Sequence, residues 1–282
     1  MINTKLVTRT ANQADHTAIA NLIYFEANVH RHLDWRSPLE WLGSQEYWVL
    51  ELNNSIVGAL ACPPDPEGVA WLRLFTHSSV LSPAQAWNSL WEAAKARMAD
   101  RGLVVAAITV ADWFSQLLLE SGFSNNQKIV VLEHKFTSFQ QRSIPPNLVL
   151  RPMTDNDLVE VTAVDHSGFA PLWWNSQVAL QSGFKQSGFA AVALLNGEMV
   201  GYQISTRNAL GAHLARLAVK TDQQGLGIGY LLVQDLISQS RRAGLYRITV
   251  NTQADNRASL ALYKRIGFAF TGEYYSVFEV QL

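Results

Sequence analysis

Three glycines at alternate positions, in Gln223-Gln224-Gly225-Leu226-Gly227-Ile228-Gly229-Tyr230, follow a strand-like run and open a helix-like one. Glycine lets backbone approach a ligand closely, and the first-turn amides of a helix have no partners inside it. With the positive end of the helix dipole added, such a turn suits a phosphate or diphosphate; the same glycines would equally serve a tight strand–helix connection. The spacing is not the G-x-G-x-x-G of dinucleotide-binding turns, and no Gly-Lys-Ser/Thr closes it. Further along, Asn256-Arg257-Ala258-Ser259-Leu260-Ala261-Leu262-Tyr263-Lys264-Arg265-Ile266-Gly267-Phe268 has helical periodicity. At about 100° per residue, Asn256, Ser259 and Tyr263 share a stripe, and Ala258, Leu262 and Ile266 form the adjacent apolar one. An amide, a hydroxyl and a phenol on one flank can bind a ligand and hand it a proton; they also read as an N-cap followed by half-buried core. His213 stands on the strand before the glycine turn, and imidazole titrates in the range a general base needs. Strand alternation places it on the side of Ala215, Leu217 and Val219.

Gln224-x-x-Gly227-x-Gly229 resembles the Q/R-x-x-G-x-G/A loop with which GNAT (Gcn5-related) N-acetyltransferases hold acetyl-CoA, and the helix resembles their N-x-x-A-x-x-L-Y-x-x-x-G-F segment. The resemblance covers most of residues 148–282, with its specific motifs in 213–268. It implies a cleft between two parallel strands that splay apart. Backbone around Leu217, Ala218 and Val219 would meet the acetyl and pantetheine portion. Amides of Gln224, Gly225, Leu226, Gly227, Ile228, Gly229 and Tyr230 would hold the diphosphate, and Asn256 and Ser259 would touch pantetheine. Tyr263 would protonate the leaving thiolate. His213 stands about where several members carry a glutamate base; Glu273, Tyr274 and Tyr275 and the Asp165-His166 pair are further cleft candidates. The implied reaction is direct attack of a free amine on a thioester in a ternary complex, with strand amides near Val219 stabilising the oxyanion. Acceptor loops are the least patterned part of this fold, and residues 169–184, with Trp173-Trp174, are where the amine site is expected.

The elements that must carry these residues alternate along the second half. A short strand at 148–151, N-cap chemistry at Thr154-Asp155-Asn156-Asp157 and a helix over 158–164 come first. A helix at 175–184 follows, then strands at 189–195 and 199–205 joined by Asn196-Gly197, a strand at 213–219, a helix over 226–243, a strand at 247–251, a helix over 255–266 and one or two strands in 269–280. The first half repeats this layout. Asn53-Asn54 resembles the Asn196-Gly197 turn. Trp71-Leu72-Arg73-Leu74 matches Leu214-Ala215-Arg216-Leu217 at an offset of 143, Ala99-Asp100-Arg101-Gly102 matches Arg241-Arg242-Ala243-Gly244 at 142, and Glu120-Ser121-Gly122-Phe123 matches Arg265-Ile266-Gly267-Phe268 at 145. Near-equal offsets in order indicate an internal duplication with tandem domains. Arg73 and Arg216, shared by both copies, read as structural. The chemistry is not shared: Gln224, Gly227 and Gly229 map onto Leu81, Ala84 and Ala86, Pro83 removes an amide, and Asn256 and Tyr263 map onto Ala111 and Leu118.

The expected architecture is therefore α/β: two tandem GNAT folds, each a mixed, mostly antiparallel central sheet flanked by helices. A degenerate domain over 1–140, binding no cofactor, is followed by a linker at 141–147 marked by Pro145-Pro146 and a catalytic domain over 148–282. The 282 residues carry 22 basic and 23 acidic side chains, which argues against a nucleic-acid partner. One cysteine, Cys62, excludes disulfides within the chain and a cysteine zinc site, and His30-x-His32 has no carboxylate cluster beside it, so no metal is expected. No apolar run suits a membrane span, and the start of the chain carries no signal-peptide core, so a cytoplasmic location is expected. Seven of the nine tryptophans fall in the first half, where most should be core. The leading expectation is acetyl-CoA-dependent N-acetylation of a primary amine, on a small molecule or a protein N-terminus; the alternative is a non-catalytic acyl-CoA-binding sensor or partner-binding module.

Overall fold

Turn chemistry sets the hairpins. Asn196 and Gly197 both take positive φ, at 52° and 88°, and join β10 (Phe189–Leu195) to β11 (Glu198–Arg207). Asn53 and Asn54, at 49° and 65°, do the same for β3 (Tyr47–Leu52) and β4 (Ser55–Ala61). The computed structural model describes residues 6–99 and 101–282; the polar start of the chain at 1–5 and Asp100, part of the repeat match at 99–102, lie outside the described residues. The chain forms two compact units, one of residues up to Asn126 together with Tyr275–Leu282, the other of Gln127–Tyr274.

The first unit holds β1 (Leu6–Thr10), α1 (His16–Phe25), β2 (Val29–Arg31), β3, β4, β5 (Val69–Trp71), β6 (Leu74–His77), α2 (Pro83–Met98), β7 (Val104–Thr109) and α3 (Asp112–Glu120). Five strands pair antiparallel in the order β1-β3-β4-β6-β2. β5 runs parallel to β7, whose other edge pairs with residues 276–281 of β14 (Ala269–Gln281). Its core is aromatic: Phe75, Trp87, Trp91, Phe114 and Phe278 are all at most 2% exposed.

The second unit contains the end of β8 (Ser124–His134), β9 (Leu148–Pro152), α4 (Leu158–Gly168), α5 (Gln177–Lys185), β10, β11, β12 (Ala212–Val219), α6 (Ile228–Arg242), β13 (Ile248–Gln253), α7 (Arg257–Ile266) and the start of β14. Strands β9, β10, β11 and β12 pair antiparallel in that order. β12 and β13 are parallel but pair only through Ala212, Leu214 and the residue between them, against Ile248 to Val250. β13 in turn pairs antiparallel with residues 129–134 of β8. α6 buries Ile228, Leu231 and Leu232 against Ala191, Ala193 and Val200, and turns Tyr230, Val233, Leu236 and Ile237 toward Leu214, Ile248 and Val250.

These units correct the expected boundaries of 1–140 and 148–282. The chain passes to the second unit within β8 and returns to the first within β14, because long-range strand pairing, invisible to offset arithmetic, assigns each terminal strand segment. The duplication itself has a structural mark that the offsets did not include. Arg9 binds Asp15 in two-pronged fashion at 2.8 Å, with Asn12 as the capping residue; Arg151 binds Asp157 at 2.6 and 2.7 Å, with Thr154 in that place. The helices start at 228 and 257 rather than 226 and 255, since Gly227 and Asn256 are the caps.

Candidate active site

Beyond Leu214, β12 and β13 part, and among the described residues the edge of β12 from Ala215 to Val219 has no strand partner on that side. The resulting cleft has a volume of about 390 Å³ and lies within the second unit. Leu217, Ala218 and Val219 form one wall, Gln224, Gly225, Gly227, Ile228, Gly229 and Tyr230 the end, and Asn256 and Ser259 the other wall. Eleven of the twelve expected cofactor residues are thus brought together. Leu226 is the exception: it is 64% exposed and points away from the lining.

The glycine loop is built for close backbone approach. Gly225 and Gly227 take φ of 82° and 84°, in the left-handed region where a side chain is strained. Gly227 is the N-cap of α6 and offers no side-chain acceptor, so the helix's first amides are not capped from within. Gln224 donates from Nε2 to the Val219 carbonyl at 3.1 Å and ties the loop to the end of β12. The equivalent turn in the first unit is closed instead. Ser82 and Gln85 form a capping box on α2, with Pro83 at its start, so the amides there are satisfied locally. Behind it, Phe75, Trp87 and Phe114 pack with ring centroids 5.1–5.7 Å apart, and His30 stacks on Phe114 at 4.2 Å. Burial lowers the His30 imidazole to about 4, and the His30-x-His32 pair serves packing; among the described residues no group of three metal-ligating side chains exists. Cys62 is buried, and burial pushes its thiol well up, away from nucleophilic use.

Two expected catalytic residues stand elsewhere than their patterns implied. On α7 it is Ala258, Ala261, Leu262 and Arg265 that line the cleft beside Asn256 and Ser259, whereas Tyr263 and Ile266 point into the core. Tyr263 is 4% exposed, packs on Phe268 at 5.4 Å between ring centroids, and burial raises its phenol so that it stays protonated. Helical spacing alone could not tell which of two adjacent stripes faces the core. His213 does not share a face with Leu217. A bulge interrupts the pairing of β12 with β11, Ile204 lying opposite Arg216 but Ser205 opposite Leu214. The extra residue, Ala215, reverses the alternation. Leu214 and Leu217 therefore face the α6 core together, and His213 lies on the other face with Arg216. His213 is hydrogen-bonded through Nδ1 to the Thr249 hydroxyl at 2.9 Å, and burial lowers its pKa, so it is neutral near pH 7.

That opposite face also carries an ion-paired network. Arg216 donates from Nε and Nη2 to Asp165 at 2.7 and 2.9 Å, Tyr202 donates its hydroxyl to Asp165 at 2.5 Å, and the Arg216 guanidinium lies 3.5 Å over the Phe169 ring. Asp165 is thereby committed to holding α4 on the sheet. His166 stacks on Trp174 at 4.5 Å and contacts the Asn175 carbonyl, which fixes the loop carrying Trp173 and Trp174. Glu273 and Tyr274 are not among the lining residues, and Tyr275 belongs to the first unit. Phe169, at the start of the segment expected to hold the amine, lines the cleft, as do Gln223, Gly168 and Arg142, which were not among the expected residues. Arg142 sits in the polar segment read as linker, where no motif marks it.

A split parallel pair, a glycine loop capping the following helix and a polar helix opposite thus frame one cleft on an α/β fold. Residues 158–268 match the acetyltransferase (GNAT) family model. Over 55 residues, 20% of this chain and 32% of the relative, it is 38% identical to an L-methionine sulfoximine/L-methionine sulfone acetyltransferase of Pseudomonas aeruginosa, so the matched stretch spans about a third of that enzyme. Over 112 residues, 40% of this chain and 74% of the relative, it is 28% identical to the [ribosomal protein bS18]-alanine N-acetyltransferase of Escherichia coli. A tandem GNAT protein from the clavulanic acid biosynthesis pathway superposes with a TM-score of 0.63 at 14% identity, covering 99% of this chain and 98% of that one, a likeness of fold. The chain is two GNAT folds in tandem.

Proposed function

We propose that the second unit is an acetyl-CoA-dependent N-acetyltransferase acting on a primary amine of a small molecule or a protein N-terminus. The observation that carries this reading is the cleft itself: uncapped amides of a positive-φ glycine loop at one end, and an unpaired strand edge along one side. The donor set fits coenzyme A. Neutral amides and the α6 dipole suit the diphosphate, and the free backbone edge of β12 suits the amide groups of pantetheine. The acetyltransferase names of the two relatives, one acting on a small amino-acid analogue and one on a protein alanine, support both acceptor classes.

When bound, acetyl-CoA supplies a thioester carbonyl. The neutral amine attacks it, the C–N bond forms, the C–S bond breaks, and two protons must be placed. The ammonium proton goes to His213, neutral and on the face that also carries Arg216 and the Phe169 loop. In this reading the thiolate takes its proton from Tyr263, which burial keeps protonated, although the ring packs in the core behind the α7 residues that line the cleft. The backbone edge near Val219 offers the amides that stabilise the developing oxyanion. The first unit binds no acetyl-CoA in this reading, because its helix cap is satisfied locally and aromatic rings fill the space behind it.

Thiol release from acetyl-CoA across a panel of primary amines tests the proposal. Tyr263→Phe keeps the ring volume and should lower turnover on the order of 100-fold or more, as loss of a general acid does, with CoA affinity unchanged. Binding of CoA without turnover on any amine would make the protein a sensor, and an unaltered Tyr263→Phe enzyme would leave Tyr263 as core.

A further inference from the structure

The glycine loop has the geometry of a diphosphate site but lacks its charge. From Gln223 to Tyr230 there is no lysine or arginine, and the loop offers amides and the helix dipole, worth about half an elementary charge. A diphosphate carries two negative charges in water. The missing cation stands beside the loop on a different stretch of chain. Arg142 lines the same cleft, its guanidinium stacks over the Tyr230 ring at 4.4 Å, and a methyl added at Gly227 would lie 3.0 Å from its Nη1.

This position is held by specific contacts. The Gln234 side chain clasps Arg142 from both directions, accepting from its amide at 2.8 Å and donating to its carbonyl at 2.9 Å. The Tyr230 hydroxyl donates to the Gln140 carbonyl at 2.5 Å, and Arg241 donates to the carbonyls of Phe136 and Thr137 at 2.6 and 3.1 Å. The segment is therefore laid along α6 by hydrogen bonds at several points, all inside the second unit. Among the described residues no carboxylate pairs with Arg142. Stacking on an aromatic face leaves the planar N–H edge of a guanidinium free for a bidentate anion, which an ammonium in the same place would not present.

We propose that Arg142 is a ligand-binding residue: its guanidinium covers the glycine loop and takes up the charge of the diphosphate of coenzyme A, so that the segment laid along α6 completes the site within the second unit. This rests on the reading of the cleft as a coenzyme A site.

Calorimetric titration of the full-length chain separates the two claims. Coenzyme A, dephospho-coenzyme A and pantetheine are each titrated into the wild type, Arg142→Ala and Arg142→Lys, with thermal melting to establish that the variants fold. Loss of one charge-assisted bidentate contact should weaken coenzyme A and dephospho-coenzyme A about 10-fold in Arg142→Ala, and less in Arg142→Lys, with pantetheine unchanged. Unchanged coenzyme A affinity in Arg142→Ala overturns the proposal, as does an equal loss for pantetheine, which would make Arg142 part of the wall only. A loss for coenzyme A without one for dephospho-coenzyme A overturns it too, moving the contact to the 3′-phosphate. A wild type that fails to bind coenzyme A overturns the reading of the cleft, before any variant is compared, and the proposal with it.

Discussion

A base must be neutral before it can accept a proton, and His213 is neutral for an electrostatic reason. Burial penalises its charged form, and its nearest polar partner, the Thr249 hydroxyl, does not supply the negative charge that would restore it. Its pKa therefore lies below the ordinary 6.5, and the acidic limb of the rate profile should lie below 6.5 as well, activity falling as pH drops through that lowered value. His213→Gln should remove this limb and reduce turnover by about 10²-fold while CoA affinity holds. A rate profile indistinguishable from that of the wild type would remove His213 from the mechanism. At this scale the sequence was informative where the chemistry lies in the backbone: glycines at 225 and 227 announce a loop, and the loop is there. It was uninformative where position depends on distant chain. Nothing near Arg142 in sequence points to Tyr230 or Gln234, and the contact arises only when the segment lies along α6.

Elements were legible where local chemistry decides them and less so where packing does. The Asn53-Asn54 and Asn196-Gly197 turns and the Thr154 cap form as their residue types require. The bulge at Ala215 and the inward face of α7 depend on which neighbours are present, and each turned one proposed catalytic side chain away from the face its spacing implied. The repeated Arg–Asp cap shows how much a short element can owe to one pair. Asp157 accepts from the Arg151 guanidinium and from the Thr154 amide and hydroxyl, and Arg151 holds its carboxyl near 2. A depressed carboxyl stabilises the fold above its unfolded value, and that contribution fades as pH falls toward the folded one. Asp157→Asn should therefore cost roughly 1–2 kcal/mol near pH 7, the worth of a cap with charged hydrogen bonds. The gap to wild type should narrow between pH 4 and pH 2. Denaturant unfolding at pH 7 and pH 3 measures both; an equal gap at the two values would mean that the charge on Asp157 contributes nothing.

Across the whole molecule, the duplication and the allotment of chain to units obey different rules. Offsets of 142 to 145 describe how the gene-encoded order repeats, and the ion-paired caps at Arg9–Asp15 and Arg151–Asp157 keep that period. Strand pairing does not keep it. Residues 276–281 complete the first unit beside β7, with Phe278 1% exposed in its aromatic core, and residues 129–134 complete the second beside β13, with Leu132 buried there. A cut after residue 147, which the prolines invite, would strip each unit of a pairing strand and a core side chain. Removing a buried phenylalanine alone costs about 3–5 kcal/mol, a large part of a domain's stability, before the lost ladder of hydrogen bonds is counted. Fragments 1–147 and 148–282 expressed separately should therefore be unfolded or aggregated, and co-expression should restore a soluble pair that binds CoA. Circular dichroism and gel filtration of each fragment decide the matter: a folded, monomeric 148–282 that binds CoA by itself would mean that residues 129–134 are dispensable and that the second half folds as the consecutive domain its sequence suggests.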